Sequence, residues 1–271
     1  MHDGFHRIED LPRQVQLVWH GVNDDTNLRH FLASPVPWAE IDVRRHPAGH
    51  LVLRHDPISP IATPGDARGH PSRAGLGHDA DDLDRLLALG DVLDVLRRAA
   101  RGVTIDVKET GILDDVLVAV ADQGLGDREL WFNGRPDVLG QDGVRALRSA
   151  HPEAVVQCPV DRLTTTLLTR PRAGRERLRH LHRWGITRFS VGWTTPQSRD
   201  LLLRLQGWHY EVNVYAVPDL HEFLQAVELR PRSITADFNF PEWHYFGRGA
   251  GQGGRYHRYN IEPVPPAIDV A

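Results

Sequence analysis

Ala39-Glu40-Ile41-Asp42-Val43 alternates carboxylates with apolar residues. Successive strand side chains point to opposite faces, so Glu40 and Asp42 share one face. Val103-Thr104-Ile105-Asp106-Val107-Lys108 repeats the pattern and puts Asp106 and Lys108 together. In a barrel strand one such face is the interior. Charged groups there are costly unless they are paired or bound to a metal.

Working outward from these two runs, short β-rich segments alternate with helical patterns along the chain, which suggests parallel βαβ units. Eight strands are expected: Val15 to His20, Ala39 to Val43, Val103 to Val107, Glu129 to Asn133, Ala154 to Cys158, Arg188 to Val191, Glu211 to Ala216 and Ser233 to Phe238. Leu51 to Arg54 reads as a hairpin partner of the second. Leu83, Leu86, Leu87, Leu93 and Leu96 recur at helical spacing, with Asp81 or Asp82 as cap; so do Leu113, Val116, Leu117 and Val120. A further helix is expected over about 198–205. Eight strands with intervening helices is the count of a (β/α)8 TIM barrel, and the 271 residues suit one such α/β domain over 1–271. An open doubly wound sheet is the competing arrangement. Two loops stand out, Ile58 to Asp79 and Pro241 to Tyr259. Gly249-Ala250-Gly251 in the second precedes no helical pattern, so no dinucleotide loop is read there.

Composition narrows the function classes. Hydrophobic residues make up 41% and charged residues 25%, as in a soluble globular protein. No apolar run approaches the ~20 residues of a membrane span. The start, Met1 to His6, lacks the basic and apolar pattern of a signal peptide, so a cytoplasmic location is expected. A net charge of −4 gives no basic field for a nucleic acid polymer. Cys158 is the single cysteine, which excludes an internal disulfide. Lys108 is the only lysine in an arginine-rich chain.

Three carboxylates converging from two strands would repel each other, and one hard divalent cation, Mg²⁺ or Ca²⁺, resolves that with oxygen ligands. The alternative is that they are solvated residues at strand ends. Two histidines accompany them. His20 closes the first strand in Trp19-His20-Gly21-Val22-Asn23, and His55 follows the second in Arg54-His55-Asp56. With pKa values near neutrality, such a pair can act as general base and general acid.

The ordered series His20-Gly21, Glu40-Ile41-Asp42-Val43, His55-Asp56 and Asp106-Val107-Lys108 resembles the motifs of the glycerophosphodiester phosphodiesterases. These belong to the phosphatidylinositol-specific phospholipase C-like barrels. Trp19-His20 with Asn23, Trp131-Phe132-Asn133 and Ser190-Val191-Gly192-Trp193-Thr194-Thr195 look closer to the menorin family. The series also resembles the spider-venom-type sphingomyelinases D. The glycerophosphodiesterase pattern has arginine where Val22 follows Gly21, and many members have glutamate at Asp106.

The resemblance implies a phosphodiester, glycerol- or lipid-headgroup-like, cleaved by a metal-dependent enzyme. It implies Glu40, Asp42 and Asp106 as metal ligands, His20 and His55 as the acid–base pair, and Lys108 as a contact to the phosphate or leaving oxygen. In this superfamily a neighbouring substrate hydroxyl can be the nucleophile, giving a cyclic phosphate. Asn23 falls where the family carries a polar pair. Asn133, Gln157, Asn213, Tyr215, Asp237 and Asn239 sit at or near strand ends as candidate substrate contacts. Arg135 is a candidate phosphate contact and Trp193 a candidate stacking surface. Two other readings stay open: a non-catalytic barrel that binds a metal or phospho-ligand, and a metal hydrolase acting on another bond. Trp19-His20-Gly21 lacks the His-x-His with which amidohydrolase barrels usually begin.

Overall fold

A computed structural model describes residues 15–58, 83 and 85–236. The order is β1 (Gln16–Trp19), α1 (Asp25–Ala33), β2 (Trp38–Arg45), β3 (Leu51–Leu53), α2 (Leu89–Arg98), β4 (Gly102–Val107) and α3 (Leu113–Gln123). Then come β5 (Leu130–Asn133), α4 (Pro136–Ala150), β6 (Val155–Pro159), α5 (Thr164–Thr169), α6 (Pro171–Trp184), β7 (Arg188–Gly192), α7 (Ser198–Gly207), β8 (Glu211–Val217), α8 (Leu220–Glu228) and β9 (Ser233–Ala236). Eight of the strands run parallel in the order β1-β9-β8-β7-β6-β5-β4-β2, and β2 pairs with β1 to close the ring. The fold is a (β/α)8 barrel, and an open sheet is excluded by that last pairing. β3 is the expected hairpin partner, antiparallel to the end of β2.

Two-residue periodicity sets the layers. The outward residues Ala39, Ile41, Val43, Val103, Ile105, Phe132, Val156, Cys158, Phe189, Val191, Val212, Val214 and Ile234 are buried in one continuous apolar cluster with the helices. Cys158 is fully buried there, which pushes its thiol up to about 12 and makes it a packing residue. Helix starts follow from local chemistry. Asp24 caps α1 by accepting from the Asn27 N–H, and Asp219 caps α8 by accepting from the Glu222 N–H, each at 2.9 Å. Pro136 and Pro171 occupy the first turns of α4 and α6, where no backbone donor is needed.

The leucine periodicity read over 83–96 covers two structures. α2 begins only at Leu89, because Ala88 bridges Val52 and the Leu87 carbonyl accepts from the Leu53 N–H. Asp81 and Asp82 lie outside the described residues, as do most of the first long loop and all of the second.

The inward face is unusually polar. It carries Glu40, Asp42, Thr104, Gln157, Arg188, Ser190, Asn213, Ser233 and Thr235, all buried. Its N-terminal end is filled differently. Trp38 stacks on Trp131 at 4.3 Å between ring centroids, and the Arg188 guanidinium lies 4.3 Å over Trp131. Glu211 accepts from Arg188 at 2.8 and 3.1 Å. Burial holds the Arg188 guanidinium below its usual pKa, and the Glu211 carboxylate opposes the shift. Trp38, Trp131, Arg188 and Glu211 all lie in the first two residues of their strands, so this stack closes the bottom of the barrel.

Candidate active site

The register places the chemistry on one level. Asp42 pairs with Asp106, Asp106 with Asn133, and Asn133 with Gln157 across β2, β4, β5 and β6. The level lies toward the C-terminal ends of the strands, the face that carries the active site in barrel enzymes. One ligand oxygen from each of Glu40, Asp42 and Asp106 lies within 4.8 Å of the others. Glu40 and Asp42 are almost wholly buried, at 5% and 1% exposure, so solvent cannot relieve their repulsion.

Lys108, just beyond β4, resolves part of it. Its Nζ lies 2.6 Å from Asp42 Oδ1 and 2.6 Å from Asp106 Oδ2. Burial works against the ammonium, yet the charges of Asp106, Asp42 and Glu40 hold its pKa above the usual lysine value. Burial would also raise Asp42, but Lys108 and then His20 hold that carboxyl down at about 2. Glu40 is left without the lysine. Burial and the Asp42 charge push it up to about 8, against weaker pulls from His20 and Lys108. Burial therefore favours a proton on Glu40, and Lys108 favours the charge on Asp42.

The β1–α1 connection shapes the same group. Gly21 adopts φ +67°, a left-handed conformation that a side chain would strain, and so turns its N–H onto Glu40 Oε2 at 2.8 Å. His20 Nε2 stands 3.8 Å from the same oxygen. Asn23 grips Asp42 at two points. Its Nδ2 donates to Asp42 Oδ2 at 2.5 Å, and its Oδ1 accepts from the Asp42 N–H at 2.8 Å. Asn23 was expected to meet substrate; its amide is engaged with Asp42.

His55 is more open, with its side chain 63% exposed. Its Nδ1 is 3.0 Å from Asp56 Oδ1, which orients the ring. Its carbonyl accepts twice from Arg44, at 2.7 and 3.0 Å, and so ties the segment after β3 to β2.

The remaining expected residues fall in different surroundings where they are described. Gln157 Nε2 donates to Asn133 Oδ1 at 3.2 Å, while its own buried Oε1 meets no partner among the described residues. Asn213 accepts from Ser233 and Thr235 at 2.8 and 3.3 Å inside the barrel. Arg135 precedes α4 and binds Asp137 at 2.7 Å. Trp193 is buried; its indole N–H donates to Glu222 at 2.5 Å, and Arg199 lies over the ring. That ring packs in the outer apolar cluster with the helices. Asp237 and Asn239 lie outside the described residues.

One residue was not singled out by the sequence. Asp161, in the turn after β6, accepts from the Gly192 N–H at 2.8 Å, Thr195 Oγ1 at 3.2 Å and Tyr215 Oη at 2.7 Å. Burial and the Asp161 charge keep the Tyr215 phenol protonated far beyond its usual range, and the charges of Asp106 and Lys108 also reach it.

The donor set fits a hard cation. Three carboxylates converge, and the ammonium between two of them shows that this point attracts positive charge.

No protein-family model matches the chain, and no curated protein matches it significantly. Solved structures do. A glycerophosphodiester phosphodiesterase from Parabacteroides distasonis superposes with a TM-score of 0.58 at 14% identity, over 86% of this chain and 96% of that one. One from Agrobacterium tumefaciens gives 0.52 at 16% identity, over 82% and 96%. A calcium-dependent phosphoinositol-specific phospholipase C from a Pseudomonas species gives 0.53 at 12%, over 92% and 93%. The chain shares its barrel fold with these proteins. Among the described residues no helix is long and apolar enough to cross a membrane.

Proposed function

We propose that this chain is a phosphodiesterase that uses one divalent cation, Mg²⁺ or Ca²⁺, to cleave a glycerophosphodiester or lipid-headgroup-like phosphodiester. The observation that carries this reading is the convergence of Glu40, Asp42 and Asp106 within 4.8 Å, with Lys108 and His20 against them. The shared fold supports it, since two of the solved structures are glycerophosphodiester phosphodiesterases and the third is a calcium-dependent phospholipase C.

Glu40, Asp42 and Asp106 would hold the cation, whose contribution when bound is to offset charge developing on the phosphoryl group. As a ligand, Glu40 would have to be in its charged form. Lys108, which holds Asp42 and Asp106 through its ammonium, would turn from them to the phosphate or the leaving oxygen once those carboxylates held the cation. His20 and His55 would form the acid–base pair, one removing the proton of the nucleophile and the other protonating the leaving oxygen. Asp56 on Nδ1 of His55 fixes that ring and leaves Nε2 for the reaction. Where a substrate hydroxyl is the nucleophile, a cyclic phosphate results.

The test is release of aryl alcohol from an aryl phosphodiester, with and without EDTA, by the wild type and by His20→Ala and His55→Ala. Turnover should vanish with EDTA and return with Mg²⁺ or Ca²⁺. Each variant should lose about 10²–10⁴ in rate. Full activity in both variants, or no metal-dependent turnover across a diverse diester panel, would overturn the reading.

A further inference from the structure

Asp161 and Tyr215 meet although 54 residues separate them. Tyr215 is followed by Ala216 at φ +55°, a left-handed conformation that disfavours any residue with a side chain. The β8–β9 register breaks at the same place, between Val214 and Val217. The irregularity falls just after Tyr215, which keeps its regular place on β8 opposite Gly192 of β7. Opposite it stands Gly192, where an added Cβ would lie 2.9 Å from Thr195 Oγ1, and 3.3 Å from both Asp161 Oδ1 and the Tyr215 ring. The missing side chain at Gly192 thus leaves room for this contact.

That contact decides what Tyr215 can offer. Its proton is given to Asp161 at 2.7 Å, and among the described residues nothing donates to its oxygen. A phenol whose hydrogen is committed in this way presents only lone pairs. It cannot donate to a phosphoryl oxygen. It can only accept. Tyr215 is part-buried and shares the inward face of β8 with Asn213, one alternation nearer the C-terminal ends of the strands, the end that carries the carboxylate group.

We infer that Asp161 positions Tyr215 as an acceptor-only wall of a headgroup subsite, which selects substrates whose leaving group carries a hydrogen-bond donor, hydroxyl or ammonium, beside the phosphate. This rests on the phosphodiesterase reading for the placement of the phosphate. Tyr215 would touch the headgroup. Asp161 would act through it, by fixing the direction of one hydrogen.

The test uses binding, which does not depend on turnover. Glycerol 3-phosphate and phosphoethanolamine carry donors; methyl phosphate and phosphocholine carry none. The Kd of each is measured by calorimetry on the full chain with Mg²⁺ or Ca²⁺ present. The wild type should prefer each donor-bearing probe over its partner by about tenfold, the worth of one ordinary hydrogen bond. In Tyr215→Phe the preference should fall to within about twofold, and in Asp161→Ala it should also shrink, because the phenol proton is then free to turn. Asp161→Asn keeps an acceptor oxygen for the phenol and should restore most of the preference. A purely structural Asp161 would instead weaken all four probes together. Preference for glycerol 3-phosphate alone identifies the donor as hydroxyl, and for phosphoethanolamine alone as ammonium. Equal affinities in the wild type, or a preference that survives in Tyr215→Phe, would overturn the inference. Failure of the phosphodiesterase reading shows itself separately, as no binding of any of the four probes and no cleavage of any diester.

Discussion

Replacing Glu40 by glutamine should remove a pH dependence from the stability of the metal-free protein. The glutamate titrates near 4.5 when unperturbed and near 8 in the barrel, because burial and the Asp42 charge disfavour its ionised form. Between those values the native state keeps a proton that the unfolded chain has released. Stability from this group is therefore complete below about 4.5 and falls as pH rises toward 8. The slope is about 1.4 kcal/mol per pH unit per proton, so about 3 kcal/mol should go between about pH 5.5 and 7.5. Glutamine cannot ionise, and its carbonyl can still accept from Gly21. The difference between the urea curves of wild type and Glu40→Gln, both in EDTA, reads the effect of Glu40 together with its electrostatic coupling to Asp42 and Lys108, while groups remote from it cancel. Asp42 contributes in the opposite sense, losing its share only as pH falls toward about 2, below this window. Saturating Mg²⁺ or Ca²⁺ should flatten the wild-type slope by favouring the charged form. Parallel stability profiles for the two proteins in EDTA would refute the argument, because Glu40 would then be ionised in the native barrel.

Three other outcomes follow from the same geometry. Asn23→Ala removes both grips on Asp42 and should weaken divalent-cation affinity by about 10–100-fold, read by calorimetry, with little change in the Kd of phosphate at saturating metal. Lys108→Met leaves Asp42 and Asp106 facing each other uncompensated and should destabilise the metal-free protein by about 3–5 kcal/mol, with added cation restoring much of the Tm. Gly102→Ala would drive a Cβ to 2.5 Å from the Trp38 ring and should cost about 1–3 kcal/mol by overpacking, measured as a fall in Tm at unchanged metal affinity.

Much of the barrel and its carboxylate group is legible in the amino-acid sequence alone. Glu40 and Asp42 can be placed together because two-residue alternation is a property of any strand, and Asp106 and Lys108 follow by the same rule. The eight strands can be counted because each carries an apolar outer face. What the sequence hides are contacts that depend on register and bending. Asp161 sits in a turn with no periodicity to mark it, and its partners come from two later strands. The bulge at Ala216 follows no residue rule, since alanine gives no sign of a left-handed backbone. Asn23 can be seen to lie near the site, but only the folded chain shows that its amide is engaged with Asp42. Arg188 reads as the polar start of a strand. Its burial depends on Trp131 and Glu211, which no local pattern joins to it.

The tryptophan and arginine stack at the base of the barrel governs traffic. With Trp38, Trp131 and Arg188 filling one end, the described residues leave the carboxylate group to be approached from the other. Whatever enters must leave by the route it came, past the same rim. On the proposed diesterase reading, the two fragments and the next substrate would share that approach. Accumulated product should act as a competitive inhibitor, and turnover should slow before substrate is exhausted.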